Sequence, residues 1–343
     1  MLFRSDGGLH SEGTIFKISK TGTFQKLHDF CCGEGGFPAY GLVAGRDGNF
    51  YATTDVSSFF RITPAGKFTI LNALSIYQIC NGPCYSSLMQ ATDGNFYGVT
   101  GAFIFRFSQS GQFTDLYVFG TQTGDGVSGT GPMIQASNGM LYGVTSEGGA
   151  HGAGTVWQIS TKGVYKKIFD LDSTTRLFPN GLLQASDGNL WGTTSNLSLS
   201  SPGGAVFAIT PAGSFVAATA LSCGGGGAGS VALLIQGNGG LLYGDTFDCG
   251  NGTVFTVAAG LPLPAPNITT FAPASGAVGA KVTIQGSYFV GATSVTFNGI
   301  GAAFQLLSAS VISATVPVGA TTGTIGVVTA GGSAVSRGKF TVR

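Results

Sequence analysis

Through the first 258 residues, short apolar runs with polar alternation are closed again and again by Gly, Asn, Asp or Ser. A two-residue period over so few positions predicts half-buried β-strands. The closing residues predict tight turns, because they reach positive φ at little cost.

The runs themselves recur. Gly41-Leu-Val-Ala-Gly-Arg-Asp47-Gly48-Asn-Phe-Tyr51 returns as Ser87-Leu-Met-Gln-Ala-Thr-Asp93-Gly94-Asn-Phe-Tyr97. Further copies place Asn138-Gly139 before Tyr142 and Asp187-Gly188 before Trp191, with a looser copy ending in Tyr243. The aromatic anchors are thus spaced by 45 to 52 residues. Each copy continues into a second half, as in Phe59-Phe-Arg-Ile-Thr-Pro-Ala-Gly66-Lys-Phe68 and Ala205-Val-Phe-Ala-Ile-Thr-Pro-Ala-Gly213-Ser-Phe215.

One period therefore holds four strands, a to d. Asp-Gly or Asn-Gly makes the a–b hairpin, and a Gly at 22, 66, 111, 163 or 213 closes the c–d turn. A four-stranded antiparallel unit repeated at this interval predicts an all-β fold, a β-propeller whose blades bury one another's aromatics. Six copies are present, the first without strand a and the last without strand d. Six blades is the expected count; five blades closed by strands from both termini, or an incomplete ring, are the alternatives. Gly7 to Phe16 align with Gly148 to Trp157, which sets Met1 against Tyr142 inside a strand, so the repeat reads as cut at Met1.

After a Pro-rich linker, Gly260 to Pro266, the period changes. About seven short alternating strands in the last stretch, among them Val282–Ile284, Val311–Val316 and Lys339–Val342, predict an Ig-like β-sandwich. The expected division is 1–259 propeller, 260–266 linker and 267–343 sandwich.

Composition narrows the classes. With 58 Gly in 343 residues the chain carries about 17% against a usual share of about 7%, yet its 26 Phe and 10 Tyr exclude disorder, and no Gly-X-Y period supports collagen. Sixteen Lys and Arg face fifteen Asp and Glu, which gives no field to steer the chain onto nucleic acid or an anionic membrane. Beyond Asp248 only Lys281, Arg337, Lys339 and Arg343 are charged, a scatter rather than a nucleic-acid patch. The sequence has no run of 18 apolar residues, so no segment is expected to span a bilayer as a helix, and the opening Met-Leu-Phe-Arg-Ser-Asp has no signal-peptide core.

On Gly41-Leu42-Val43, Asp47-Gly48-Asn49-Phe50-Tyr51 and Gly252-Thr253-Val254-Phe255, residues 1 to about 258 resemble the bacterial GloVer-type tandem repeat. The resemblance implies a secreted or surface protein; where such proteins carry a sorting tail, this sequence carries another module, which leaves its anchoring open. That module resembles the IPT/TIG immunoglobulin-like domain in Pro266-Asn-Ile-Thr-Thr-Phe271-Ala-Pro273, Gly279-Ala-Lys-Val-Thr-Ile-Gln-Gly286, Val295-Thr-Phe-Asn-Gly299 and Val316-Pro317. The resemblance implies a spacer or a second binding unit.

Strand alternation puts the d–a and b–c connections on one face. All six cysteines fall in them, which suits an oxidising compartment. The candidate disulfides are Cys80 with Cys84, Cys223 with Cys249, and Cys31 with Cys32 or an upstream partner. Zinc is the sharper alternative, but Cys80-x3-Cys84 has no second pair at metal spacing. His10 and His151 hold one repeat position three blades apart and cannot share an ion, while His28 reads as a strand-d packing residue. Asp47, Asp93 and Asp187 each precede a hairpin Gly, so turn geometry accounts for them. Gln90, Gln135, Gln184 and Gln236 form a second equivalent set, either lining a channel or satisfying neighbouring backbone. Asp170 with Asp172 and Asp245 with Asp248 match no calcium loop.

The expected role is that of a non-enzymatic secreted or cell-surface binding protein, monomeric and without cofactor. Its partner would be a glycan or surface protein held on the loop face by Phe37, Tyr40, Tyr85 and Phe178. The alternative is an extracellular lyase or hydrolase at the channel mouth, although no Gly-x-Ser-x-Gly elbow marks a nucleophile.

Overall fold

The computed structural model describes residues 2–4, 7–31, 33–34, 41–54, 58–73, 87–172, 178–195, 204–223, 226–227, 233–246 and 252–343. Six successive antiparallel sheets follow the repeat, as expected of propeller blades. Blade 1 has strands b to d, Leu2–Arg4, Thr14–Ile18 and Phe24–Asp29. Blades 2 to 5 are complete in the order a-b-c-d, and blade 6 has strands a to c, Ile235–Gln236, Leu242–Thr246 and Thr253–Val257. Among the described residues, then, the first sheet has no strand a and the last no strand d.

The cores lie between blades, because alternate residues of strands b and c face opposite neighbours. In blade 3, Phe96, Phe103, Phe105 and Phe107 pack with Tyr51 and Phe59 of blade 2. Tyr97, Val99 and Ile104 of the same sheet pack the other way, with Leu141 and Trp157 of blade 4. Phe59 stacks on Phe107 with ring centres 4.3 Å apart, and Tyr51 meets Phe96 at the same distance. At roughly 1.5–3 kcal/mol for each large apolar side chain fully buried, these layers are the main stabilising term of the scaffold.

The repeated small residues have local causes. The Gly after the strand-b aromatic lies under a strand-c ring of its own blade: a Cβ at Gly143 would sit 2.2 Å from Trp157 and one at Gly192 2.6 Å from Phe207. A repeated Thr of strand b holds the start of strand c, as where Thr145 Oγ1 accepts the Thr155 N–H at 3.0 Å and Thr194 Oγ1 the Ala205 N–H at 3.0 Å.

By its contacts the chain divides into two compact units, Met1–Gln184 with Leu190–Leu233 and Asp245–Thr253, and Ala185–Asn189 with Leu234–Gly244 and Val254–Arg343. In the second unit the Ig-like module forms two sheets. One orders Asn267–Ala272, Lys281–Ser287, Val311–Thr315 and Phe304–Ser308; the other orders Ser275–Gly276, Gly332–Val342, Gly323–Thr329, Ser294–Phe297 and Ile300–Gly301. Strict alternation along Lys281–Ser287 sends Val282 and Ile284 into a core with Phe289, Phe297, Ile312, Ile325 and Phe340. In the same unit the Tyr288 hydroxyl donates to the Gln236 carbonyl at 3.0 Å, and the Pro262 carbonyl accepts from Ser186 Oγ at 2.5 Å.

Candidate functional site

Among the described residues, blade 4 has the longest strands a and b. Its strand a, Gly126–Gln135, and strand b, Leu141–Gly148, stay paired out to Gly126 and Gly148, with a register shift between Thr130 and Ile134. This extension raises the b–c connection and the d–a connection from blade 3, and a polar cluster is built between them.

Its centre is Asp125, 7% exposed. One carboxylate oxygen accepts the Tyr117 hydroxyl at 2.6 Å and the Gly120 N–H at 2.9 Å. The other accepts the Gly126 N–H at 2.8 Å and the Tyr165 hydroxyl at 2.9 Å. Four donors on one buried carboxylate meet the condition for keeping such a group out of water. Tyr117 and Tyr165 stack with centroids 3.5 Å apart and planes 8° from parallel. Burial, then the hydrogen bond to Asp125, pushes the Tyr117 hydroxyl up to about 12 and raises Tyr165 as well. Both are donors at neutral pH, not bases.

The cluster ties three elements together. The Asp125 carbonyl accepts the Gly149 N–H at 2.8 Å from the b–c connection. Lys167 donates to the Gly124 carbonyl at 2.6 Å and to Asp170 at 2.8 Å, and Asp170 accepts the Ala150 N–H at 2.8 Å. Between Gln122–Asp125 and Tyr165–Lys167 an open pocket of about 270 Å³ remains. The tyrosine stack has counterparts: His28 stacks on Phe68 at 3.9 Å and Phe169 lies parallel to Phe215 at 6.4 Å, each joining the strands d of successive blades. The sequence reading did not name this stack, and nothing in the spacing marked Asp125, which belongs to no repeated position.

The residues singled out in the sequence divide cleanly. Asp47 accepts the Asn49 N–H, the Asn49 amide and the Tyr51 hydroxyl, the last at 2.7 Å; Asp93 does the same for Asn95 and Tyr97, the last at 2.6 Å. Against the desolvation of each carboxylate, these bonds hold both acids below the usual carboxylate value. Asp187 accepts both Asn189 groups in the same way.

The Gln set joins blades. Gln90 accepts the Arg46 N–H at 2.9 Å, Gln135 the Thr92 N–H at 2.7 Å, Gln184 the Ser137 N–H at 2.7 Å and Gln236 the Ser186 N–H at 2.9 Å. Each thereby holds the a–b turn of the preceding blade, while Gln90 and Gln135 donate to the Gly of their own turn. Of the two readings, backbone satisfaction is the one these amides serve.

His28 also pairs with Glu34 at 3.0 Å, and Glu34 accepts the Cys31 N–H at 3.1 Å. His10 and His151 are exposed on b–c connections. Asp170, considered for calcium, is committed to Lys167 and Ala150. Phe178 enters strand a of blade 5 at φ 56°, 37% exposed, its carbonyl accepting the Ser195 N–H at 3.0 Å. Phe37, Tyr40 and Tyr85 lie outside the described residues, as do Cys32, Cys80, Cys84 and Cys249; Cys223 is described in its backbone alone.

No curated protein matches the sequence. Solved structures of similar fold include a fungal alcohol oxidase of the AA5 family in complex with copper, 14% identical over 94% of this chain and 79% of that one, TM-score 0.49. A gluconolactonase from Xanthomonas campestris is 14% identical over 78% of this chain and 82% of its own, TM-score 0.39. The extracellular domain of a protein described as a one-component system of B. thetaiotaomicron is 11% identical over 99% of this chain and 48% of its own, TM-score 0.48. The IPT/TIG domain model matches residues 266–342. The model of the Gloeobacter/Verrucomicrobia repeat matches residues 55–258, and with more than half its length so described the chain belongs to the Gloeobacter/Verrucomicrobia repeat family.

Proposed function

We propose that the protein is a secreted or cell-surface binding protein that holds a glycan or protein ligand on the face formed by the d–a and b–c connections, with the IPT/TIG domain as spacer or second binding unit. The observation that carries this reading is the division of labour among polar groups. The repeated acids and amides are engaged in turn and inter-blade bonds on the a–b side. On the opposite side a buried carboxylate organises a raised loop and leaves a pocket open beside it. Preorganised loops on a rigid scaffold are the usual seat of recognition.

The enzymatic alternative, a lyase or hydrolase at the channel mouth, asks for a base near neutral pH. Tyr117 and Tyr165 are shifted away from such a value and do not supply that base. The test is a glycan and surface-protein array run beside a hydrolase and lyase screen, with protease accessibility on intact cells for location. Specific binding without turnover, on protein exposed outside the cell, is the expected result; turnover at any catalytic rate, or an intracellular pool alone, overturns the reading.

A further inference from the structure

The first and last sheets of the repeat each keep one face uncovered. The second residue of strand c faces the following blade: Ile15, Phe59, Ile104, Val156 and Val206 are at most 1% exposed, but Val254 of blade 6 is 79% exposed. The fifth residue faces the preceding blade: Ile62, Phe107, Ile159 and Ile209 are at most 2% exposed, but Ile18 of blade 1 is 54% exposed. Phe24, paired in register with Ile18, is exposed as well.

The repeat identifies what fits these faces. Each core between blades 1 and 5 joins one residue of each kind, Ile15 with Ile62, Phe59 with Phe107, Ile104 with Ile159 and Val156 with Ile209. Val254 and Ile18 are the two halves of one more such pair, both open to solvent. Asp245 narrows the partner further, because it holds the strand-b position of Thr53, Val99, Val144 and Thr193. In blade 3 that position lies against strand a of the following blade, where a Cβ at Gly129 would sit 2.6 Å from Val99 Cγ2. A carboxylate pressed there would lose its water. Blade 1 has no strand a among the described residues, so its face covers Val254 without shutting the partly exposed Asp245 away from water.

We propose that the protein associates head to tail, the Val254 face of one copy seated on the Ile18 and Phe24 face of a second copy, in place of the monomer expected from the sequence. Two unlike faces joined in this way make a heterologous contact, which extends into open chains or closes into a ring of copies.

The test is sedimentation equilibrium of the 343-residue chain over a range of concentrations, beside Ile18→Lys, Val254→Lys and an equal mixture of the two. Both side chains are exposed, so an unchanged melting temperature serves as fold control. Phe24→Lys and Thr256→Lys, exposed on the same two faces, replace a variant that fails it. The parent is expected to grow beyond a dimer as concentration rises, and each variant alone to stay monomeric. The mixture is expected to stop at a dimer, because Val254→Lys keeps only the Ile18 face and Ile18→Lys only the Val254 face. A variant that associates alone, or a mixture that stays monomeric, overturns the head-to-tail pairing. A parent that is monomeric at every concentration overturns self-association altogether.

Discussion

The side-chain oxygen of Gln135 accepts the backbone N–H of Thr92, in the turn of the preceding blade, at 2.7 Å, while its amide donates to Gly139 of its own turn at 2.9 Å. One side chain thus fixes two turns from adjacent repeats. Replacing Gln135 by Ala removes two hydrogen bonds at a partly solvated site, and the expected loss is about 1 kcal/mol. Gln236 is only 8% exposed and bonds Ser186 N, Ser186 Oγ and the Pro262 carbonyl, so Gln236→Ala is expected to cost more, about 2 kcal/mol. Urea unfolding of the two variants checks the order as well as the size; equal or reversed losses contradict it.

Asp125 holds its loop through acceptor bonds alone. In Asp125→Asn the amide NH2 faces one tyrosine hydroxyl, which can turn to accept, and one backbone N–H, which cannot, so one contact becomes donor against donor, with an expected loss of about 1–3 kcal/mol. Thermal melting reads the loss, and limited proteolysis is expected to cut first between Phe119 and Asp125. A variant as stable as the parent and uncut there rules out this role.

The tyrosines of the same cluster give a pH dependence with a definite sign. Their folded values lie above the ordinary 10, with Tyr117 at about 12. The unfolded chain therefore releases these protons first, and their contribution to stability is fully present below about pH 10 and lost as pH climbs through 12. At the acid end Asp47 and Asp93 are held below the ordinary 3.8, so their contribution is present above that value and lost as pH falls beneath it. Tyrosinate absorbance during alkaline titration checks the first: Tyr51, Tyr97, Tyr117 and Tyr165 are all raised and are expected to titrate late in the parent, and two of them, Tyr117 and Tyr165, to titrate earlier in Asp125→Asn.

The repeat was legible because blade packing writes a period into the sequence. Tyr51, Tyr97 and Tyr142 are spaced by the need of each sheet to cover its neighbour, and the Asp-Gly and Asn-Gly pairs follow from hairpin geometry. The double duty of Asp47 and Asp93, turn former and anchor of the Tyr hydroxyl, was hidden because the turn alone explains the residue. Asp125 was invisible for the opposite reason. It lies in a connection at no position the repeats share, and its partners Tyr117 and Tyr165 come from two different sheets, 48 positions apart in sequence.

Gly143 tests the packing argument directly. Its position under the Trp157 ring leaves no room for a methyl group, whereas Ala52 holds the equivalent place in blade 2 against Phe60. Gly143→Ala is expected to destabilise by about 1–3 kcal/mol through displacement of Trp157. Tryptophan fluorescence is expected to shift with it. Full stability together with an unmoved spectrum excludes the steric account.

Tyr288 joins the Ig-like module to the a–b turn of blade 6 within one compact unit. It adopts φ 59° and its hydroxyl donates to the Gln236 carbonyl at 3.0 Å. A left-handed backbone at an aromatic residue is unfavourable, and contacts around it must hold it there. Tyr288→Phe keeps the ring and removes only the hydroxyl, so the expected loss is about 1 kcal/mol. Because Phe289 stays in the core, the module itself is expected to remain folded. Hydrogen exchange separates the two effects: faster exchange in the Gln236–Gly240 turn with unchanged protection along Lys281–Ser287 is expected, and equal loosening of both means that the hydroxyl supports the module rather than the junction.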